Sequence, residues 1–216
     1  MTFDNLARFP LAHLPTPLEF LPRLSKELGP RLFIKRDDQT GLAGGGNKTR
    51  KLEFLVADAL AQKCDLLITV GAVQSNHCRQ TAAAAAKAGL RCLLVLRGDQ
   101  PKDTTGNLLL DHLLGAGVVW AGNRSRDEVM EEVASEERAA GHKPYPVPLG
   151  GSTPLGAAAY ALAMQELKAQ MEAQSLNFDR ILFASSSGGT HAGLVVGRQL
   201  TGFGGEVLGI SVDEDR

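Results

Sequence analysis

Short apolar runs alternate along the chain with longer stretches in which apolar residues recur every three or four positions. The short runs predict strands at Leu32–Lys35, Leu66–Val70, Cys92–Leu96, Val118–Trp120, Ile181–Ala184 and Val207–Val212. The longer stretches predict helices at Thr49–Gln62, Asn76–Ala88, Thr104–Leu114, Asp127–Ala140, Leu155–Ala173 and Ala192–Leu200. In the first helix Leu52, Leu55, Val56, Ala59 and Leu60 fall on one face, the spacing of a stripe turned to a core. Runs such as LLITVG and CLLVL show little polar alternation, as expected of parallel strands covered on both faces. Strand and helix alternating in this order predict an α/β fold of open, mostly parallel sheets with right-handed crossovers.

Proline and glycine punctuate two regions. Pro144–Gly151 reads as a crossing between subdomains, and Gly202–Gly205 as a turn before the last strand. Asp213–Arg216 follows that strand directly, with no helix to cover it, so the chain is expected to be short of a complete sheet fold.

Composition narrows the function classes. The 216 residues carry 23 Lys and Arg against 24 Asp and Glu, a net charge of −1. No overall charge favours nucleic acid or an anionic membrane surface. Cys64, Cys78 and Cys92 match no zinc spacing and cannot all pair with one another, so reduced thiols are expected. The N-terminus lacks a basic region followed by an apolar run, and Ala82–Ala86 is far too short to span a bilayer. A cytoplasmic protein without a metal site is the expectation.

The chemistry concentrates in glycine-rich loops. Gly44–Lys51 (GGGNKTRK) runs into a helix whose first turn holds Lys48, Arg50 and Lys51. Cations there oppose the helix dipole, which favours anions, so the pattern points to a site. A lysine among cations has a lowered pKa, and its neutral amine can form a Schiff base with a carbonyl. The other cations can hold an anionic group of the same ligand. The same residues also read as a surface loop of solvated cations, and the pattern alone leaves both readings open. A Walker A loop is excluded, because Asn47 stands where its last glycine belongs.

Ser185–Gly193 (SSSGGTHAG) follows a strand and opens a helix, the arrangement that binds phosphate through backbone N–H groups, and it also reads as a tight strand-to-helix turn with a Ser or Thr N-cap. Its glycine spacing meets neither the dinucleotide fingerprint nor a nucleophile elbow. Gly71–His77 also lies between strand and helix. There Ser75 or Asn76 reads first as an N-cap, and His77 as a packed or exposed helix residue rather than a catalytic base. Gly150–Gly156 reads as a further strand-to-helix turn near the ligand, or as an ordinary cap built on Thr153 and Pro154. An aldehyde-bearing, phosphorylated cofactor, pyridoxal 5′-phosphate (PLP), accounts for both the lysine and the phosphate cradle.

The segments Phe33–Asp38 (FIKRDD), Gly45–Phe54 (GGNKTRKLEF), Gln74–His77 (QSNH) and Ser187–Gly193 (SGGTHAG) resemble the D-cysteine desulfhydrase and 1-aminocyclopropane-1-carboxylate (ACC) deaminase family. This is a branch of the tryptophan synthase β-like, fold type II PLP enzymes. The resemblance runs from Phe9 and Pro15–Glu19 to Gly209–Val212. It implies Lys48 as the Schiff-base lysine and Lys51 as a phosphate partner. It implies a phosphate loop of Ser187, Gly188, Gly189 and Thr190, and Asn76 as the partner of the cofactor's 3′-hydroxyl. Ser75 would contact the substrate carboxylate or assist proton transfer, with Asn47, Gln74 and His77 as further substrate-side positions.

The resemblance further implies residues 1–48 as the N-terminal segment of a large domain, 49–156 as a small α/β domain and 157–216 as the first part of the large PLP-binding domain. Family members continue beyond residue 216 with a segment that completes the large-domain sheet. That segment supplies an active-site tyrosine and the partner of the pyridine nitrogen. A homodimer acting on a small amino acid is expected. The leading activity is α,β-elimination of D-cysteine to pyruvate, hydrogen sulfide and ammonia, with Lys48 removing the Cα proton. ACC deaminase and L-cysteate sulfo-lyase are the alternatives within the family. A non-catalytic PLP-binding protein is the alternative outside it, and a nucleotide-binding α/β protein is a third.

Overall fold

The computed structural model describes residue 3 and residues 5–212. Positions 213–216, where the sequence suggests an uncovered end, lie outside the described residues. In chain order the elements are β1 (Leu18–Phe20), α1 (Pro22–Leu28), β2 (Phe33–Lys35), α2 (Lys48–Ala61), β3 (Leu66–Gly71), α3 (Asn76–Ala88), β4 (Arg91–Leu96) and α4 (Gly106–Leu113). These are followed by β5 (Gly117–Trp120), α5 (Arg126–Ala139), β6 (Pro144–Val147), α6 (Pro154–Ala173), β7 (Arg180–Ser185), α7 (Gly189–Thr201) and β8 (Glu206–Ser211).

The expected parallel α/β architecture is present. A four-stranded sheet has the order β5-β4-β3-β6 with every pair parallel. All of β3 is buried, and its side chains divide between two cores. Leu67 joins Leu52 and Val56 of α2 and Ala82 and Ala85 of α3 on one face. Leu66, Ile68 and Val70 join Val129, Met130 and Val133 of α5 on the other. Each fully buried Leu or Ile there contributes roughly 1.5–3 kcal/mol relative to exposure.

The first two turns of α2 are buried all round, from Thr49 to Val56, while Leu60 is exposed. The helix is enclosed because α3 packs on one side of it and α6 on another.

Pro144–Val147 corrects the sequence reading. It is not a crossing but β6, an edge strand paired with β3 in the register Leu66↔Pro144 to Thr69↔Val147. Pro144 and Pro146 share a parity, so both missing N–H groups can face the open side of the edge, where a proline costs no ladder bond.

Two smaller sheets complete the described chain. β1 and β2 pair antiparallel, and β7 and β8 pair parallel. One face of β7-β8 packs Ile181, Phe183 and Val207 onto α6 and α7 through Tyr160, Met164 and Leu194. The other face is open: Leu182 is 61% exposed and Ile210 58%. Among the described residues no helix is long and apolar enough to cross a membrane. Cys64, Cys78 and Cys92 are free and buried.

Five loops leave the carboxyl ends of parallel strands and enter helices, and three of them, β3 into α3, β6 into α6 and β7 into α7, carry the glycine-rich segments singled out in the sequence. Such ends are where open α/β sheets bind ligands. The N-terminus of α2 meets them there.

Candidate functional site

The loop before α2 is held from several sides. Thr40 Oγ1 donates to the Gly46 carbonyl at 2.9 Å and accepts from Gly46 N at 2.8 Å. Asn47 offers no side-chain cap, and instead Gln80 Oε1 of α3 accepts from Thr49 N at 2.8 Å. A Cβ on Gly45 would stand 1.9 Å from the Asp38 carbonyl oxygen, and Gly45 and Gly46 both have positive φ. The glycines of this loop therefore allow tight packing as well as left-handed backbone. Lys48 follows at the first helical position.

Arg50 departs from the sequence reading. It does not offer its charge to a ligand. Its Nε and NH2 donate to Asp37 at 2.9 and 2.8 Å, and its NH1 and NH2 both donate to Glu166 of α6 at 2.9 Å. Burial alone would raise the Glu166 pKa, but hydrogen bonds and charge from Arg50 and Lys35 hold it at about 2. Tyr160 Oη donates to Asp37 Oδ2 at 2.8 Å and approaches the Asn47 carbonyl at 3.2 Å. This buried network ties β2, α2 and α6 together and fixes the backbone one residue before Lys48.

Lys48 and Lys51 remain as the cations free of such pairing. Among the described residues neither forms an ion pair. Lys48 is half-buried, and its Nζ donates to Asn47 Oδ1 at 3.1 Å. Burial lowers its pKa. Desolvation, rather than the neighbouring charge expected from the sequence, is what acts on Lys48. Lys51 is buried, and its Nζ donates to the Gly150 carbonyl at 3.1 Å. Burial first, and the charge of Lys48 second, lower its pKa to about 7. A buried ammonium with a single carbonyl partner is costly unless an anion joins it.

The room for that anion is lined by glycine. A Cβ on Gly150 would lie 2.5 Å from Ser187 Oγ and 3.3 Å from Lys48 Cε. A Cβ on Gly189 would lie 2.6 Å from Ser152 Oγ and 3.0 Å from Lys51 Nζ. Gly188 stands before α7 in the left-handed conformation, so the first N–H groups of a 13-residue helix open towards this space. Ser187 and Ser152 hydroxyls lie 2.7 Å apart, and Gly189 N donates to Ser152 Oγ at 3.3 Å. Two lysines, helix N–H groups and hydroxyls fit a phosphate beside a reactive amine.

Lys48, Lys51, Gly150, Ser187 and Gly188 border one cavity of about 720 Å³, within the range of small-molecule sites, with Ser152 and Gly189 packed behind them. Lys48, Lys51, Asn47, Ser75, Asn76, His77, Ser187, Gly188 and Thr190 all line it. Ser75 also caps α3, accepting from Cys78 N at 3.2 Å, so the capping role and a place at the cavity coexist.

Three expected residues are placed differently. Gly189 does not line the cavity itself but packs against Ser152 and Lys51. Gln74 does not line the cavity; its amide is bound to Thr105 and Asn107. His77 is only 4% exposed, and its Nε2 lies 2.8 Å from Thr69 Oγ1. Thr69 donates its only hydroxyl proton to the Val147 carbonyl at 2.7 Å, so His77 Nε2 carries the proton of this pair. Burial, with the charges of Lys48 and Lys51, lowers the His77 pKa to about 3. The ring is neutral and forms part of the cavity wall.

Sequence reasoning did not identify Ser152, Tyr160, Asp37 or Glu166. The Gly-Gly-Ser-Thr-Pro turn was a signal for Ser152. The other three are joined to Lys48 only through tertiary contacts.

Comparison with known proteins bears on the family and the fold. The family described as pyridoxal-phosphate dependent enzyme matches residues 10–214. A D-cysteine desulfhydrase of Klebsiella pneumoniae (strain 342) is 47% identical over 221 residues, covering 98% of this chain and 67% of the relative. A crystal structure of an ACC deaminase homologue superposes with a TM-score of 0.90 at 42% identity, over 96% of this chain and 63% of the other. A crystal structure of a threonine deaminase from T.th. superposes with a TM-score of 0.72 at 28% identity, over 91% of this chain and 59% of the other. The chain thus spans about two thirds of the length of the proteins it matches.

Proposed function

The chain belongs to the pyridoxal-phosphate dependent enzyme family, with the fold type II architecture, and we propose that it carries the lysine and phosphate half of the active site of a lyase acting on D-cysteine. The observation that carries this reading is Lys51: a buried amine without an ion pair among the described residues, held by the Gly150 carbonyl beside the α7 N-terminus and next to the half-buried Lys48.

PLP, when bound, supplies an aldehyde that condenses with amines and a ring that draws electrons from the substrate Cα. The protein's part is positional and acid–base. Lys51, the first N–H groups of α7, Ser187 and Thr190 hold the phosphate. Asn76 donates to the 3′-oxygen. Lys48 would link to the cofactor's aldehyde, and its Nζ, when free, would accept the Cα proton. Its lowered pKa keeps a fraction of that amine neutral and able to accept. Ser75, at the head of α3, faces the substrate carboxylate. Loss of hydrosulfide from Cβ would leave an enamine, which one water hydrolyses to pyruvate and ammonia.

The choice of D-cysteine rests on the QSNH and SGGTHAG segments and on the 47% identity to a desulfhydrase. The fit to an ACC deaminase homologue favours ACC as the second substrate to test. His77 is bonded to Thr69, so any influence on substrate choice passes through the cavity wall. In this reading the enzyme is a cytoplasmic homodimer.

A steady-state assay of the full-length protein with D-cysteine and ACC decides the activity. Sulfide and pyruvate from D-cysteine above a Lys48→Ala control support the desulfhydrase. 2-Oxobutanoate from ACC, with no sulfide from D-cysteine, replaces it with the deaminase.

A further inference from the structure

Asn76 opens α3 and lines the cavity, and its carboxamide is oriented by residues that do not. Its Oδ1 accepts from Arg79 NH1 at 2.8 Å and from Asn107 Nδ2 at 2.9 Å. A guanidinium only donates, so the atom facing Arg79 is oxygen and the amide cannot be reversed. Asn107 is fixed by the same logic. Its Oδ1 accepts from Arg79 NH1 at 2.8 Å, and its Nδ2 also donates to the Gln74 main-chain oxygen at 2.7 Å.

Gln74 completes the chain. Its Oε1 accepts from Asn107 N at 2.7 Å, and its Nε2 donates to the Thr105 carbonyl at 3.0 Å. A Cβ on Gly106 would lie 2.4 Å from Gln74 Oε1, so this approach requires glycine, at a φ of +58°. Arg79 NH2 reaches the Gly45 carbonyl at 2.8 Å, in the loop that leads to Lys48. Each amide ends on a backbone or guanidinium group that cannot turn over. Asn76 Nδ2 is the end of the chain without a hydrogen bond among the described residues.

We propose that Arg79 and Asn107 are positioning residues that keep the Asn76 amino group turned into the cleft, as a donor to the ring oxygen of the bound cofactor. The cationic Arg79 polarises the same amide and strengthens it as a donor. Gln74 then acts by stapling α4 to the head of α3 rather than by touching substrate. This inference rests on the PLP reading above.

The test is a PLP titration of the purified protein, read by visible absorbance. Asn107→Asp replaces a donor to Asn76 Oδ1 with an acceptor, so the two oxygens repel and the Asn76 amide is displaced from the orientation that Arg79 alone still favours. The expected result is about tenfold weaker PLP binding. The ratio of the cofactor's absorbance bands, which reports whether the ring oxygen is protonated, shifts as it does in Asn76→Ala. Borohydride still fixes the cofactor to Lys48. Arg79→Lys keeps the charge but offers a point donor in place of a fork, and is expected to shift the ratio in the same direction by less. It serves where Asn107→Asp fails to fold by circular dichroism.

Unchanged affinity and band ratio in folded Asn107→Asp or Arg79→Lys, while Asn76→Ala changes both, overturns the positioning role. An unchanged Asn76→Ala overturns the donor role itself. Absence of any borohydride-fixed cofactor in the unsubstituted protein sinks the PLP reading and this inference together.

Discussion

The ammonium of Lys51 lies directly against Gly189: a Cβ built on that glycine would stand 3.0 Å from Nζ. The helix start and the cation converge so closely that only a hydrogen can occupy the corner between them. Gly189 is helical and does not have a positive φ, so its replacement threatens the cradle rather than the backbone conformation. Gly189→Ala is expected to weaken PLP binding at least tenfold while thermal stability changes little. An equilibrium titration paired with a melting curve checks this.

Lys51 also gives the unloaded protein a signature in pH. Its pKa is about 7 when folded, against 10.5 for an ordinary lysine. Between these values the unfolded chain binds the proton and the folded chain does not, so stability rises as pH increases from about 7 to about 10. At about 1.4 kcal/mol per pKa unit, the effect is a few kcal/mol. A bound phosphate restores the charged form and removes the slope. Urea unfolding across this pH range, with and without PLP and in Lys51→Met, separates the contribution from other groups.

Asp111 of α4 runs the opposite way. Both carboxylate oxygens are buried without a hydrogen bond. Burial raises the pKa to about 7, although the charge of Arg79 opposes it. Folded Asp111 holds its proton between about 4 and 7 where unfolded Asp111 has lost it, so stability falls as pH rises through that window. Asp111→Asn is expected to flatten this fall and to raise stability at pH 8 by about 1–3 kcal/mol. Denaturant midpoints at pH 5 and pH 8 check it.

The Arg50 network bears on folding before chemistry. Removing the guanidinium leaves Asp37 and Glu166 facing one another with no cation between them except Lys35. Arg50→Met is expected to cost about 3–5 kcal/mol. Chemical denaturation measures it, and a cost near zero would mean that the surrounding side chains relax around the loss.

The architecture was largely legible in the sequence because its parallel strands are covered on both faces and so appear as uninterrupted apolar runs. LLITVG became β3, buried throughout. β6 was not legible. Pro144 and Pro146 suggest a turn, and only the pairing with β3 shows an edge strand whose open side tolerates them. β1 and α1 were missed as well, being short and set among Pro15, Pro17 and Pro22.

At the site, the glycine loops and Lys48 could be read from composition and position. The partition of the cations could not. Arg50 and Lys51 are adjacent in sequence, yet one meets carboxylates from the β2–α2 connection and from α6, and the other meets Gly150 and Gly189. That difference arises from helix packing. The orientation of Asn76 was equally invisible, because it depends on Asn107, which lies 31 residues away.

The central claim is that the Lys48 amine condenses with the aldehyde of PLP. Borohydride reduction of the PLP-loaded protein, followed by intact-mass and peptide mapping, tests it most directly. The expected result is one phosphopyridoxyl group, located on the peptide containing Lys48 and lost in Lys48→Ala. A protein of unchanged mass, or a label on another lysine that persists in Lys48→Ala, would contradict it.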